Sequence, residues 1–309
     1  MATLPRRATK ALSVLGLAVG LAACGSSASE DSASPKSFSV VASTNVWGDV
    51  TSQIAGRLAG STVRITSIIS DPSQDPHSYE ASTTNRLELA KAKVVIENGG
   101  GYDDFVDRML AAGSNRPTKI NAVGVSGKTA QAGGELNEHV WYDFPTVNLV
   151  ANKIADVLAA ADAADAATFH TNAKTFIGKV HSLQQREDTV KAAHAGVGAA
   201  ITEPVPLYML TACGLVNRTP PAFSEAVEEG TDVSPRVLQQ TLDLFAGKQV
   251  RLLAYNSQTS GPETEKVLGA AKQNNIPVVP VTETLPSGTD YLAWMSANLT
   301  AIVNALRSA

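Results

Sequence analysis

Hydrophobic positions along the chain fall into two alternating series separated by one long stripe. Ser39-Val40-Val41-Ala42-Ser43 reads as a buried strand, followed by a helix near Val46–Leu58 and a second strand at Val63–Ile69. Leu87–Lys93 predicts a helix, Val94–Glu97 a third strand, and Tyr102–Ala112 another helix. The alternation returns after Ala199, with strands at Ala199–Glu203, Arg251–Tyr255 and Ile276–Val281. Helices near Pro235–Phe245, Glu263–Asn274 and Tyr291–Leu306 separate or follow them. Short apolar runs spaced by helical segments predict parallel sheets with crossover helices. Between the two series, Ala164–Ala193 contains no proline and only Gly178 among glycines. Phe169, Ala173, Phe176, Ile177, Val180 and Leu183 recur at spacings of three and four, one stripe of a single helix. About thirty residues would make a rod of about 45 Å, long enough to join two lobes. Two helices broken at Gly178 are the alternative. The fold class is therefore α/β: two lobes with parallel sheets flanked by helices, joined by one long rigid linking helix that limits lobe motion.

The first residues form a different kind of segment. Arg6, Arg7 and Lys10 precede a charge-free stretch, Ala11–Ala23, rich in Leu, Val, Ala and Gly. As a helix it would cover roughly 20 Å, short of the ~30 Å hydrocarbon core, so it reads as a signal peptide. Leu21-Ala22-Ala23-Cys24 resembles the lipobox of bacterial lipoproteins, with the Cys24 thiol as the lipid acceptor. An ordinary signal peptide with a cysteine near its cleavage site is the alternative. The domain plan is thus a leader at 1–23, a Ser/Ala/Gly-rich tether at 24–36, a first lobe at 37–163, a linking helix at 164–195 and a second lobe at 196–309.

Composition narrows the function classes. The chain has 309 residues, a formal net charge of −4 and two cysteines. That balance offers no basic face to nucleic acid, and the cysteines are too few for a disulfide framework or a four-thiolate zinc site. Without the leader, the charge falls to −7 and Cys213 is the remaining thiol, flanked by Leu210, Ala212 and Leu215 as a packing residue would be. Two α/β lobes tethered outside a membrane resemble a solute-binding protein, although fold alone does not name the ligand.

Of five histidines, His170, His181 and His194 sit on or beside the long helix in polar surroundings and read as solvated. His77 lies in a proline-rich loop after a buried strand, and His139 follows Gly133-Gly134, both where ligand sites of α/β sheets belong. Asp103, Asp104 and Asp107 read as a solvated helix face. Gly124-Val125-Ser126-Gly127-Lys128-Thr129 is two residues short of a phosphate loop between its glycines. Neither His-Glu-x-x-His nor Gly-x-Ser-x-Gly occurs.

Asp75-Pro76-His77-Ser78-Tyr79-Glu80 is similar to the Asp-Pro-His-x-Tyr-Glu element of the metal-specific solute-binding lipoproteins of ABC transporters, the extracytoplasmic receptors for zinc and manganese. His139-Val140-Trp141 looks like their second histidine element, and the long helix sits where their inter-lobe helix runs. The resemblance implies His77 and His139 as ligands from the first lobe. It implies Glu203 and Glu283 from the second, Glu283 standing where the family has aspartate. It also implies Zn²⁺ or Mn²⁺ as transported cargo, a membrane permease with a cytoplasmic ATPase as partner, membrane attachment through Cys24, and a monomer that is not an enzyme. The sequence departs from the pattern at Glu138, where the family has proline, at Ala81, and in lacking a His-rich loop between His77 and His139. Two imidazoles and two carboxylates balance a divalent cation, and they permit both metals. Binding should weaken below about pH 6, where imidazoles protonate. Glu203 as a turn cap and Glu283 as an exposed side chain are the structural alternatives. A chelated metal or small organic ligand is the competing cargo, and an exported metallohydrolase the competing class. A surface adhesin has no specific support.

Overall fold

The computed structural model describes residues 37–308 apart from 72, 73, 75, 78, 81 and 131–134. The leader, Cys24 and the tether lie outside the described residues. The first lobe holds parallel strands β1 (Phe38–Thr44), β2 (Val63–Ile69), β3 (Val94–Glu97) and β4 (Thr118–Asn121), in the order β2-β1-β3-β4. The second holds β5 (Gly198–Ile201), β6 (Val216–Asn217), β7 (Leu253–Asn256) and β8 (Val278–Val281), in the order β6-β5-β7-β8. Both sheets are wholly parallel. In β1, β3, β5 and β7 almost every residue is buried, because helices cover both faces. That is why these strands read as continuous apolar runs rather than as alternations.

Several elements depart from the sequence reading. Thr118–Asn121 carries exposed Thr118 and Lys119, as an edge strand does, and β6 is only two residues long. The helix Phe144–Ala161 starts at Asp143, whose carboxylate accepts from Thr146 N at 3.0 Å, with Pro145 in the first turn. Its buried face, Val147, Val150, Ile154, Val157 and Leu158, repeats at helical spacing. The strand expected to reach Glu203 ends at Ile201, leaving Thr202 and Glu203 buried beyond it.

The linking helix is one unbroken element, Ala166–His194. It passes through Gly178 without interruption, and a Cβ there would meet nothing within 4 Å. A break at Gly178 is thereby excluded. Phe169, Ala173, Phe176, Val180 and Leu183 are buried along it as the stripe predicts. The final helix, Tyr291–Ser308, runs along the linking helix and returns to the first lobe. Arg186 donates to Ser296 Oγ at 2.6 Å and Thr300 Oγ1 at 2.9 Å, while Tyr291 OH donates to the Trp141 carbonyl at 2.6 Å. Asn45 closes a two-way bond with the Leu285 backbone at 2.8 and 2.9 Å. One continuous apolar core consequently contains residues of both sheets and both long helices. No described helix is long and apolar enough to cross a membrane.

The stripe continues to Glu187, which is 4% exposed. Burial, then Asp143 and Asp188, push its carboxyl up to about 8. A carboxyl whose folded pKa exceeds its unfolded value costs stability as pH rises between the two, here from about 4.5 to about 8. Glu187→Gln should therefore stabilise the fold by about 1–2 kcal/mol at pH 8 and by little at pH 5. Urea unfolding at the two pH values reads the difference; an equal effect at both would show that the carboxyl ionises in the fold without cost.

Candidate metal centre

Ligand sites of parallel sheets form beyond the carboxyl ends of the strands, where loops diverge and backbone N–H groups turn inward. Here both sheets aim those ends at one place. His77 lies in the loop after β2, and His139 precedes the short turn Val140–Tyr142. Glu203 and Glu283 sit two residues beyond β5 and β8.

The His139 loop is held from behind by the segment after β3. Asp103 carboxylate oxygens accept from Asn98 N and Gly99 N at 2.6 and 2.7 Å, which curls the chain through three left-handed glycines, Gly99 to Gly101. At Gly100 a Cβ would press on Val123, Glu138 and Leu136 at 3.1–3.3 Å. Asn98 Nδ2 then donates to the Glu138 carbonyl at 2.9 Å. Asp103 is thus buried, 1% exposed, and corrects the reading of a solvated acidic face. Its role is to satisfy two backbone donors of a tight loop.

His139 is fully buried. Asn137 Oδ1 accepts from His139 N at 3.0 Å and lies 2.8 Å from Nδ1, while Asn137 Nδ2 donates to the Pro204 carbonyl at 3.1 Å. An amide oxygen can only accept, so Nδ1 carries the ring proton and Nε2 presents a lone pair to the site. Nε2 has no hydrogen-bond partner among the described residues. Burial, and secondarily His77, hold the His139 pKa well below the usual histidine range, keeping the ring neutral. The His77 and His139 ring centres are 6.1 Å apart, with Tyr102 edge-on to His77 at 5.0 Å and Trp141 edge-on to His139 at 5.0 Å. This aromatic wall keeps water from the inner side.

The second lobe contributes carboxylates. Glu203 is 3% exposed and Glu283 2%, so the reading of Glu283 as an exposed residue fails. Asn256, the last residue of β7, donates through Nδ2 to Glu203 Oε2 at 2.7 Å and Glu283 Oε1 at 2.8 Å. Glu283 Oε2 lies 3.7 Å from His77 Nε2 and accepts from Tyr102 OH at 3.3 Å. Gln258 Oε1 accepts from Glu283 N at 2.5 Å, fixing the loop that carries it. Asn256→Ala would leave two buried carboxylates facing one another across the lost amide. It is expected to lower stability of the metal-free protein by about 1–3 kcal/mol in urea unfolding. An unchanged midpoint would show that water replaces the amide.

Two residues outside the expected ligand set join the site, and of these Glu228 has no place in the sequence reading. Glu138, which stands where the family has proline, places its carboxylate 3.9 Å from His77 Nδ1, and burial pushes it up to about 7. Glu228, at the end of the helix Pro221–Glu228, places Oε1 3.6 Å from His139 Nε2. Burial, then Glu138, Glu203, Glu283 and Glu135, push Glu228 up to about 9. His77, His139 and Glu228 offer ligand atoms within 4.8 Å of one another. The available signal was Glu228-Glu229 at a helix C-terminus, where the macrodipole disfavours negative charge. Outside these groups opens a cavity of about 590 Å³ lined by His77, Glu135, Glu138, Glu228 and Glu229 among others.

The remaining polar candidates are otherwise engaged. Lys128 pairs with Asp143 at 3.2 Å and lies over the Tyr208 ring at 4.4 Å, which leaves the Gly124–Thr129 segment no free cation for phosphate. Cys213 is buried and its thiol is pushed up to about 12 by burial, then Glu187. It packs rather than reacts. His170 and His181 are exposed and His194 half-buried, all on the linking helix.

The chain is 23% identical over 308 residues to the manganese ABC transporter substrate-binding lipoprotein ScaA of Streptococcus gordonii, covering 93% of this chain and 95% of that one. It is 23% identical over 278 residues to the manganese-binding lipoprotein MntA of Bacillus subtilis, covering 84% of each. The fold superimposes on the manganese complex of the solute-binding protein FpvC from Pseudomonas aeruginosa with a TM-score of 0.72, at 20% identity, over 88% of this chain and 99% of that one. Residues 40–305 match the model of the zinc-uptake complex component A periplasmic family, ZnuA, and the chain belongs to that family of substrate-binding proteins.

Proposed function

We propose that this protein is an extracytoplasmic receptor that captures a divalent transition metal ion, Zn²⁺ or Mn²⁺, between its two lobes. It delivers the ion to an ABC permease driven by a cytoplasmic ATPase. His77 and His139 would bind from the first lobe, Glu203 and Glu283 from the second. Cys24 would carry the lipid that keeps the receptor at the membrane, and the receptor would act as a monomer. Its work is capture and release rather than turnover.

One observation carries the reading: a neutral, fully buried imidazole has its Nε2 lone pair 3.6 Å from a carboxylate of the opposite lobe, while His77 Nε2 lies 3.7 Å from a second. An uncharged nitrogen without a proton and a set of close carboxylates repel no cation and attract every one. The separate origins of the ligands mean that the ion would tie the lobes together. Relatives named for manganese, others named for iron, and a matched structure holding manganese support a transition-metal cargo.

Calorimetric titration of the metal-stripped protein with Zn²⁺ and Mn²⁺ tests this directly. The expected result is one tight site per chain for at least one ion. Absence of a tight site for both would overturn the reading in favour of a chelated or organic cargo.

A further inference from the structure

The ligand set that the family resemblance implies leaves Glu228 unused, yet the geometry places it closest to the most deeply buried ligand. Its Oε1 is 3.6 Å from His139 Nε2, too long for a hydrogen bond and suited to two donors about one ion. Neither atom has a hydrogen-bond partner among the described residues. His139 is 0% exposed, so its lone pair has nowhere else to turn. Glu203 and Glu283, by contrast, each give one oxygen to Asn256.

We propose that Glu228 is a further ligand of the cargo ion, added from the cavity side to His77 and His139, and that it favours manganese over zinc. This rests on the metal-capture reading of the same site. Zinc is satisfied by four donors in a tetrahedron, which the two imidazoles and the carboxylates of Glu203 and Glu283 already supply. Manganese takes more donors and prefers oxygen, so an additional carboxylate benefits it selectively. The position explains an otherwise unfavourable feature. Glu228 and Glu229 end a helix whose C-terminal carbonyls already carry partial negative charge, an arrangement that a bound cation offsets. Glu229 is exposed toward the cavity mouth, whereas the Glu228 side chain is 11% exposed and turned inward.

The test is calorimetric titration of the metal-stripped protein and its Glu228→Gln, Glu228→Asp and His77→Ala variants, each with Mn²⁺ and with Zn²⁺. Glu228→Gln should weaken Mn²⁺ by about ten- to a hundredfold and Zn²⁺ by less than about threefold. Glu228→Asp keeps the charge but withdraws the carboxylate by one methylene, and should lose Mn²⁺ affinity as Gln does. Wild-type affinity for Mn²⁺ in either variant, or equal losses for both ions, overturns the proposal. His77→Ala separates the two levels. If it loses both ions while Glu228→Gln changes neither, metal capture stands and only the role of Glu228 falls. If His77→Ala binds both ions as the wild type does, the capture reading itself fails.

Discussion

His139→Ala is expected to lower affinity for Zn²⁺ and Mn²⁺ by about two to three orders of magnitude, the largest effect of any single substitution at the site. Structural zinc sites of small peptides hold their ion by about 10–16 kcal/mol, so one ligand of four accounts for about 2.5–4 kcal/mol, and each 1.4 kcal/mol is a factor of ten. His139 should lose the full amount because it is fully buried, wedged against Trp141 and Tyr102, where water cannot easily take its place. His77, with a side chain 23% exposed, can be partly replaced by solvent, and His77→Ala should lose less. A graded version comes from Asn137→Ala, which leaves the ring but removes the acceptor at 2.8 Å that assigns its proton to Nδ1. Loss of such a partner costs about ten- to a hundredfold. The ordering His139→Ala, then His77→Ala, then Asn137→Ala is checked by competition against a chelator of known affinity. Equal and small losses in all three would mean that the imidazoles do not touch the ion.

The second large effect is on protons. Sequence alone places the pH dependence below about pH 6, with the imidazoles. The structure moves it upward. His139 is held well below the usual histidine range by burial and so is already neutral across the physiological span. Glu228, pushed up to about 9, and Glu138, at about 7, hold protons that a divalent cation would expel. In each case burial is the largest cause, and for Glu228 the facing carboxylates Glu138, Glu203, Glu283 and Glu135 add to it. A carboxyl that must ionise before the ion binds makes affinity rise about tenfold per pH unit up to its pKa. Binding of Mn²⁺ at pH 7 should therefore release about one proton per ion, and its affinity should climb by about a hundredfold at most between pH 7 and 9. Calorimetry in two buffers of different ionisation enthalpy counts the protons. A flat affinity over that range with no proton exchanged would show that the carboxylates are ionised in the empty site. The sign also holds for stability: empty-site protein should lose stability as pH rises from about 4.5 toward 9, because the folded state binds the Glu228 proton more tightly than the unfolded one.

The two effects are linked by one electrostatic fact. Four carboxylates around two imidazoles are tolerable without a cation only if some are protonated, and tolerable without protons only if a cation is bound. Metal binding at this site would therefore expel protons. Asn256 moderates the repulsion by holding Glu203 and Glu283 with one amide, so its removal is felt in the empty protein.

Periodicity was sufficient for the linking helix, since six apolar positions at spacings of three and four have no other regular solution, and for β1, β3 and β7, whose burial on both faces demands apolar runs. It was insufficient for the edge strands β4 and β6, where exposure or shortness erases the contrast, whereas the helix Phe144–Ala161 carries a regular stripe of Val147, Val150, Ile154, Val157 and Leu158 that was legible and is absent from the sequence reading. The two-lobed plan and the histidines on strand-end loops were equally legible, because loop position and ring chemistry are local properties. What only the tertiary structure decided is distance. Asp103 looked like surface and instead closes a glycine loop, because its partners are two backbone N–H groups that no composition reveals. Glu228 reached His139 across 89 positions of sequence through the packing of a helix on a different sheet. Residue type and spacing determine which side chains can hold a cation; the crossing of two sheets determines which of them meet, and hence how many charges must share one buried space.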